Sequence, residues 1–178
     1  MATTQAELES LNTAIQTEKD GRAFYQEATQ RSANPLAKTV FETLAAEELV
    51  HIETIKAFYD SLKERGTCRG LEDKLQERLH PQARLKNVFE RARQHMDREV
   101  KADAGSLEAY EAAMKLEQAA YDMYQRLIAE TTDDMARRLY QFMLAQENEH
   151  YAFLKETHDY LGNPADWFVR EERPHFEG

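Results

Sequence analysis

Displaced by 99 positions along itself, without gaps, the sequence lays residues 11–62 over residues 110–161, and eleven of the 52 paired positions are identical. Eleven identities are modest among helix-forming residues; their placement is more informative. Ala14 pairs with Ala113, Tyr25 with Tyr124, Lys56 with Lys155 and Leu62 with Leu161. Glu18 falls on Glu117, Glu48 on Glu147 and His51 on His150. A chain built on such a repeat packs two similar units against each other. The shared polar residues restrict it further, because a core admits them only with partners.

Six glycines and four prolines in 178 residues, with 31% charged residues, favour long helices over a many-turned β-sandwich or barrel. The breaks are clear. A first helix is predicted from Gln5 to Gln30, closed by Arg31-Ser-Ala-Asn-Pro35. A second runs from Leu36 to Arg65, before Gly66. The third starts at Ser106, read as an N-cap, and ends at Glu130; the turn Thr131-Thr-Asp-Asp134 leads into a fourth, reaching Leu161 before Gly162-Asn-Pro164. The expected architecture is all-α: a single domain over residues 1–178, made of antiparallel helix pairs 5–65 and 106–161, a crossover 66–105 and a tail 162–178. The crossover is too long for a plain loop. Leu71, Leu75 and Leu79, then Leu85, Val88, Phe89, Ala92 and Met96, give it helical stripes. Its basic residues Arg84, Lys86, Arg91, Arg93, Arg98 and Lys101 are read as a solvated outer face rather than an anion site.

On each main helix an apolar stripe carries the repeated polar residues. Helix 1 offers Leu11, Ala14, Ile15, Glu18, Arg22 and Tyr25; helix 3 offers Tyr110, Ala113, Met114, Glu117, Tyr121 and Tyr124. Phe41, Leu44, Ala45, Glu48, His51, Ile52 and Ile55 form the stripe of helix 2. In helix 4 it is Tyr140, Met143, Leu144, Glu147, His150, Tyr151 and Leu154. Glu18 and Glu48 lie equally far along the chain from their connecting turn, at roughly 18 Å of helix each. Glu117 and Glu147 are level in the same way. Packing the pairs about a pseudo-two-fold axis gathers all six polar residues at the centre. Four ionised carboxylates in a dry site repel one another. Two divalent cations neutralise them while imidazoles fill further positions, and this oxygen–nitrogen donor set suits iron or manganese and also accepts zinc.

Two glutamates from two helices, with Glu48-Leu-Val-His51 and Glu147-Asn-Glu-His150 from the other two, resemble the ferritin-like di-iron carboxylate proteins. Ala14-Ile-Gln-Thr-Glu-Lys-Asp-Gly-Arg-Ala-Phe-Tyr25, Ala46-Glu-Glu-Leu-Val-His51 and Ala113-Met-Lys-Leu-Glu117 resemble the first three helices of rubrerythrin-like proteins. The ending Ala165-Asp-Trp-Phe168 with Glu177-Gly178 is also similar. The resemblance covers residues 11–62 and 106–161. It implies a ferritin-like four-helix bundle whose ligands are Glu18, Glu48, His51, Glu117, Glu147 and His150. It further implies two iron ions and an oxidoreductase reacting with peroxide or dioxygen, of use against oxidative stress. A ferroxidase or iron-storage protein and a structural bundle holding zinc or manganese are the alternatives. Two departures stand out. Rubrerythrins proper carry a rubredoxin domain with paired CxxC motifs, which one cysteine excludes, so a peroxidase here needs a separate electron-donor protein. The family's extra carboxylate one turn after the helix-3 ligand is replaced by Ala120.

A formal charge of −10 argues against nucleic acid as a partner. No apolar run reaches the length of a membrane span, and Met1–Ser10 shows no secretory pattern, so a cytoplasmic location is expected. Tyr25 and Tyr124 either donate to ligand carboxylates, take part in redox chemistry or simply pack. Glu47 and Glu149 are predicted to face solvent, and His80, His95, His158 and His175 lack ligand spacing. Cys68 is read as an inert loop thiol. The aromatics of the tail, Trp167, Phe168 and Phe176, are expected to dock on the bundle or on another subunit, and a homodimer is expected.

Overall fold

The computed structural model describes residues 2–68, 70, 71, 75, 85, 104–164 and 167. These form four long helices: α1 (Ala2–Arg31), α2 (Pro35–Arg65), α3 (Ala104–Glu130) and α4 (Asp134–Gly162). The fold is the expected all-α, ferritin-like bundle. Ser106 is a correction. It lies buried inside α3 rather than capping it, and the helix starts two residues earlier, at Ala104, where alanine favours helical backbone.

The repeat extends to the turns. Asn34 accepts from the backbone amides of Leu36 and Ala37 at 2.9 and 3.1 Å, with Pro35 opening α2. Its counterpart 99 residues on, Asp133, accepts from Met135 and Ala136 at 2.9 and 2.8 Å. Both caps satisfy amides that a helix start leaves unpaired. Gly66 ends α2 at φ 69°, in the left-handed region that glycine enters freely.

Each hairpin packs chiefly on itself, and the two meet along α1–α3 and α2–α4. The predicted stripes face inward. Leu11, Ala14, Tyr25, Phe41, Leu44, Tyr110, Ala113, Tyr140, Met143 and Leu154 are fully enclosed, while Arg22 and Tyr121 are half-buried. The apolar core falls into two clusters. One holds Tyr25, Phe41, Tyr110 and Leu154; the other holds Leu11, Ile55, Tyr124, Tyr140 and Met143. Leu71 and Leu85 of the crossover are buried in these clusters, and Leu75 packs against one of them. Leu79, Val88, Phe89, Ala92, Met96 and the crossover's basic residues lie outside the described residues. Trp167 docks on the bundle, its ring edge-on to Tyr160 at 5.4 Å. Phe168 and Phe176 lie outside the described residues. No described helix is long and apolar enough to cross a membrane.

Candidate metal centre

Between the two apolar clusters lies a polar layer. α1 contributes Glu18, α3 contributes Glu117, and the ExxH motifs of α2 and α4 contribute Glu48, His51, Glu147 and His150. All six are at most 3% exposed. Spacing of three places glutamate and histidine one turn apart on the same inward face. The side chains form two groups of four in which the potential ligand atoms all lie within 4.8 Å of one another: Glu18, Glu48, His51 and Glu147, and Glu48, Glu117, Glu147 and His150. Glu48 and Glu147 belong to both. The imidazoles stack at 5.2 Å with 15° between their planes, an echo of the pseudo-two-fold relation.

In each histidine Nδ1 lies near carboxylates. His51 Nδ1 is 3.1 Å from Glu18, 3.3 Å from Glu48 and 3.7 Å from Glu147; His150 Nδ1 is 3.3 Å from Glu48 and 3.7 Å from Glu117. Tyr25 donates its hydroxyl to Glu117 and Tyr124 donates to Glu18. Of the readings open for these tyrosines, hydrogen bonding to the candidate ligands is what the geometry displays.

The electrostatics follow from enclosure and crowding. Burial and then the charge of Glu48 raise Glu18 to about 8. Burial acts on Glu48 in the same direction, but the close approach of Glu18, His150 and His51 outweighs it and takes Glu48 well below its ordinary value. Burial and the neighbouring glutamates hold Glu147 well above the usual carboxylate range. Burial alone would lower both histidines; the carboxylates overcome it, raising His51 to about 9 and His150 well above its ordinary value. The metal-free layer therefore compensates its own charge with protons.

That compensation is incomplete in hydrogen bonds. Glu48 Oε2, Glu117 Oε2, Glu147 Oε1, His51 Nε2 and both ring nitrogens of His150 are buried without a hydrogen-bond partner among the described residues. Folded proteins leave few such atoms, and this many about one point is what cation ligands show when only protein atoms are counted. The donor set fits a pair of divalent ions.

Two openings reach the layer. A cavity of about 330 Å³ between α1 and α3 is lined by Thr17, Glu18, Gly21, Glu117, Ala120 and Met123, among others. Gly21 and Ala120 are counterparts in the repeat, so small side chains keep this groove open. A Cβ on Gly21 would sit 3.7 Å from the Glu48 carboxyl carbon. On another side, about 320 Å³ is lined by Glu117, Gln118, Tyr121, Glu147, Asn148 and Tyr151.

Several expectations need correcting or completing. Glu47 is buried at 6% exposure, not solvent-facing, and its repeat counterpart Gln146 is buried too. Glu149 is half-buried, with Oε2 enclosed. A helix touching two neighbours in a bundle buries a face wider than a single i, i+3, i+4 line. His158 stands apart from the layer, near Asp159 at 3.4 Å; His80, His95 and His175 lie outside the described residues. Cys68 is fully buried, and burial, followed by the charges of Asp133 and Glu7, pushes its thiol up to about 12, as an inert thiol requires. Glu7 was missed. It is a buried carboxylate that accepts from Thr131 and Tyr140, at 2.5 Å each. Its place four residues before Leu11 continues the helix 1 stripe and was the available signal.

The rubrerythrin family profile matches residues 9–158. No curated protein sequence matches significantly. Among solved structures, a two-domain protein from Anabaena variabilis, containing DJ-1/ThiJ/PfpI-like and ferritin-like domains, superposes with a TM-score of 0.59 at 13% identity. The alignment covers 99% of this chain and 40% of that one, and at this identity it speaks for the fold.

Proposed function

Because the chain belongs to the rubrerythrin family, we propose that it is a non-haem di-iron oxidoreductase that reduces peroxide at the layer formed by Glu18, Glu48, His51, Glu117, Glu147 and His150. The observation that carries this reading is the sharing of Glu48 and Glu147 between two four-residue donor groups. Such sharing is what holding two ions side by side requires, and two ions so held would supply Lewis-acid and redox chemistry together.

In this reading Glu18, Glu48, His51, Glu117, Glu147 and His150 would hold the two ions, Glu48 and Glu147 being the residues common to both donor groups. An iron pair supplies the redox equivalents and the Lewis acidity. The chain's own residues do the rest. Tyr124 and Tyr25 fix Glu18 and Glu117 through one oxygen each; the other oxygen of Glu117 has no hydrogen-bond partner among the described residues, and that of Glu18 lies 3.1 Å from His51 Nδ1. The enclosing apolar clusters keep bulk water from the layer, and the groove beside Gly21 and Ala120 admits a small oxidant. In this reading a separate protein donates the electrons.

Anaerobic loading with Fe(II), followed by rapid mixing with peroxide or dioxygen, tests the proposal. Two irons per chain, oxidised faster by peroxide than by dioxygen and re-reduced through repeated turnovers, are expected. Mineral accumulation in a large hollow assembly would point to iron storage instead. Zinc-only protein that leaves Fe(II) unoxidised would point to a structural site.

A further inference from the structure

We infer that Tyr140 and Glu7 form a redox relay for the metal centre, in which Tyr140 sends an electron toward Tyr124 and passes its phenolic proton to Glu7. The inference rests on the peroxide-reducing function proposed above, and its first test is independent of that function.

The relay is a continuous path through the second apolar cluster. Tyr124 donates to Glu18 at one end. Its ring lies 6.3 Å from that of Tyr140, and the Tyr140 hydroxyl donates to Glu7 Oε1 at 2.5 Å. The other Glu7 oxygen accepts from Thr131, also at 2.5 Å. Tyr140 is fully enclosed and Glu7 is 7% exposed. A phenol yields an electron far more readily when its proton can leave at once along an existing hydrogen bond. Burial, then the bond to Glu7, holds the Tyr140 hydroxyl well above its ordinary range, so its proton stays until the ring is oxidised.

The opposite half of the repeat is an internal comparison. Tyr25 donates to Glu117 just as Tyr124 donates to Glu18. Beyond Tyr25, however, the counterpart of Tyr140 is Phe41, stacked at 6.1 Å and without a hydroxyl. Tyr110 follows at 4.8 Å from Phe41, and among the described residues its buried hydroxyl has no hydrogen-bond partner. One half thus joins the centre to a phenol hydrogen-bonded to a carboxylate; in the other, Tyr110 makes no such bond among the described residues, and His158 stands edge-on to its ring at 6.4 Å. Fastening α1 to the α3–α4 turn explains a buried Glu7–Thr131 bond but does not require a tyrosine at 140.

The step balances as follows. The electron leaves the Tyr140 ring toward Tyr124 as the phenolic proton moves along its hydrogen bond to Glu7 Oε1. Peroxide, the oxidant, takes up two electrons and two solvent protons as its O–O bond breaks to give two waters; Tyr140 supplies one electron and the donor protein the other. The products on the chain are a neutral Tyr140 radical and a protonated Glu7. The donor protein later restores the electron, and Glu7 returns the proton.

Metal-free protein photolysed by ultraviolet light in a frozen glass, annealed and followed by electron paramagnetic resonance tests the relay directly. The radical surviving annealing should sit on Tyr140 and be lost in Tyr140→Phe, which keeps the ring, and in Glu7→Gln, which keeps the size but not the base. Circular dichroism confirms that both variants fold. An unchanged annealed signal in either variant overturns the relay. In a second arm, iron-loaded protein is freeze-quenched after peroxide, and the same radical is expected. Loaded protein that leaves peroxide unreduced while the annealed radical remains on Tyr140 refutes the peroxide reading and supports the relay. Normal peroxide reduction with no radical that depends on Tyr140 overturns the relay's role in turnover.

Discussion

Tyr25 on α1 donates its hydroxyl hydrogen bond across the bundle to Glu117 on α3, and the repeat returns the gesture from Tyr124 to Glu18. Each lone glutamate is thus oriented by the opposite half of the chain. Neither hairpin sets its own ligand alone.

Replacing these tyrosines separates orientation from ligation. Tyr25→Phe and Tyr124→Phe should each keep the fold and a stoichiometry of two ions while weakening metal affinity by roughly tenfold or more. Titration of metal-free protein with Fe(II) or Mn(II) measures the change. Undiminished affinity in both variants would show that the hydrogen bonds do not support the centre.

The shared carboxylates make a harsher test. Glu48→Ala combined with Glu147→Ala removes the residues common to both donor groups and should abolish two-ion binding while largely sparing helicity. Metal analysis beside far-ultraviolet circular dichroism reads both. Unchanged metal content would refute the ligand assignment.

Stability without metal should fall as pH rises. Glu18 moves from 4.5 to about 8 on folding, so the folded state holds its proton through a window in which the unfolded chain releases it. Its contribution is full below 4.5 and is lost as pH climbs to about 8. His51, raised from 6.5 to about 9, acts with the same sign: it favours the fold below 6.5, and that support is lost as pH approaches 9. Glu147 and His150 shift in the same direction. Glu48, lowered on folding, works oppositely, supporting the fold above its ordinary value and losing that support in acid. Metal displaces the protons, so metal affinity should rise with pH and the loaded protein should not share the alkaline decline. Thermal midpoints of both forms from pH 4.5 to about 9, the span of these shifts, check this. A metal-free midpoint that rises steadily over that range would contradict it.

Trp167 is the chain's single tryptophan, so its fluorescence reports tail docking alone. Its emission should be blue-shifted in the folded protein. Trp167→Ala should cost about 3 kcal/mol, at the lower end for deleting a buried aromatic, measured by denaturant unfolding. Water-like emission from folded protein would place the ring in solvent instead.

Cys68 should resist thiol reagents near neutral pH until the protein unfolds, because its sulfur is enclosed and its ionisation is pushed up to about 12. Labelling in native buffer at the rate seen in denaturant would show that this pocket opens readily.

Much of this was legible in the sequence because helices convert spacing into geometry. The 99-residue offset and the ExxH spacing place the six candidate ligands on inward faces, and the turn lengths make them level. Burial at Glu47 was harder to read, since the side of a helix that meets a second neighbour depends on how hairpins cross, which a one-helix pattern does not contain. Ser106 misled because serine caps and buried serines look alike without the backbone. Glu7 escaped notice because its partners, Thr131 and Tyr140, are more than a hundred residues away.

Each hairpin owns three of the four residues in its own donor group and borrows the fourth, Glu147 or Glu48, from its sibling. A solitary hairpin therefore cannot complete a site, whereas two identical copies set face to face could have completed both. Joining such copies in one polypeptide releases them from identity, and each can then accumulate differences that a self-paired ancestor would have had to carry twice.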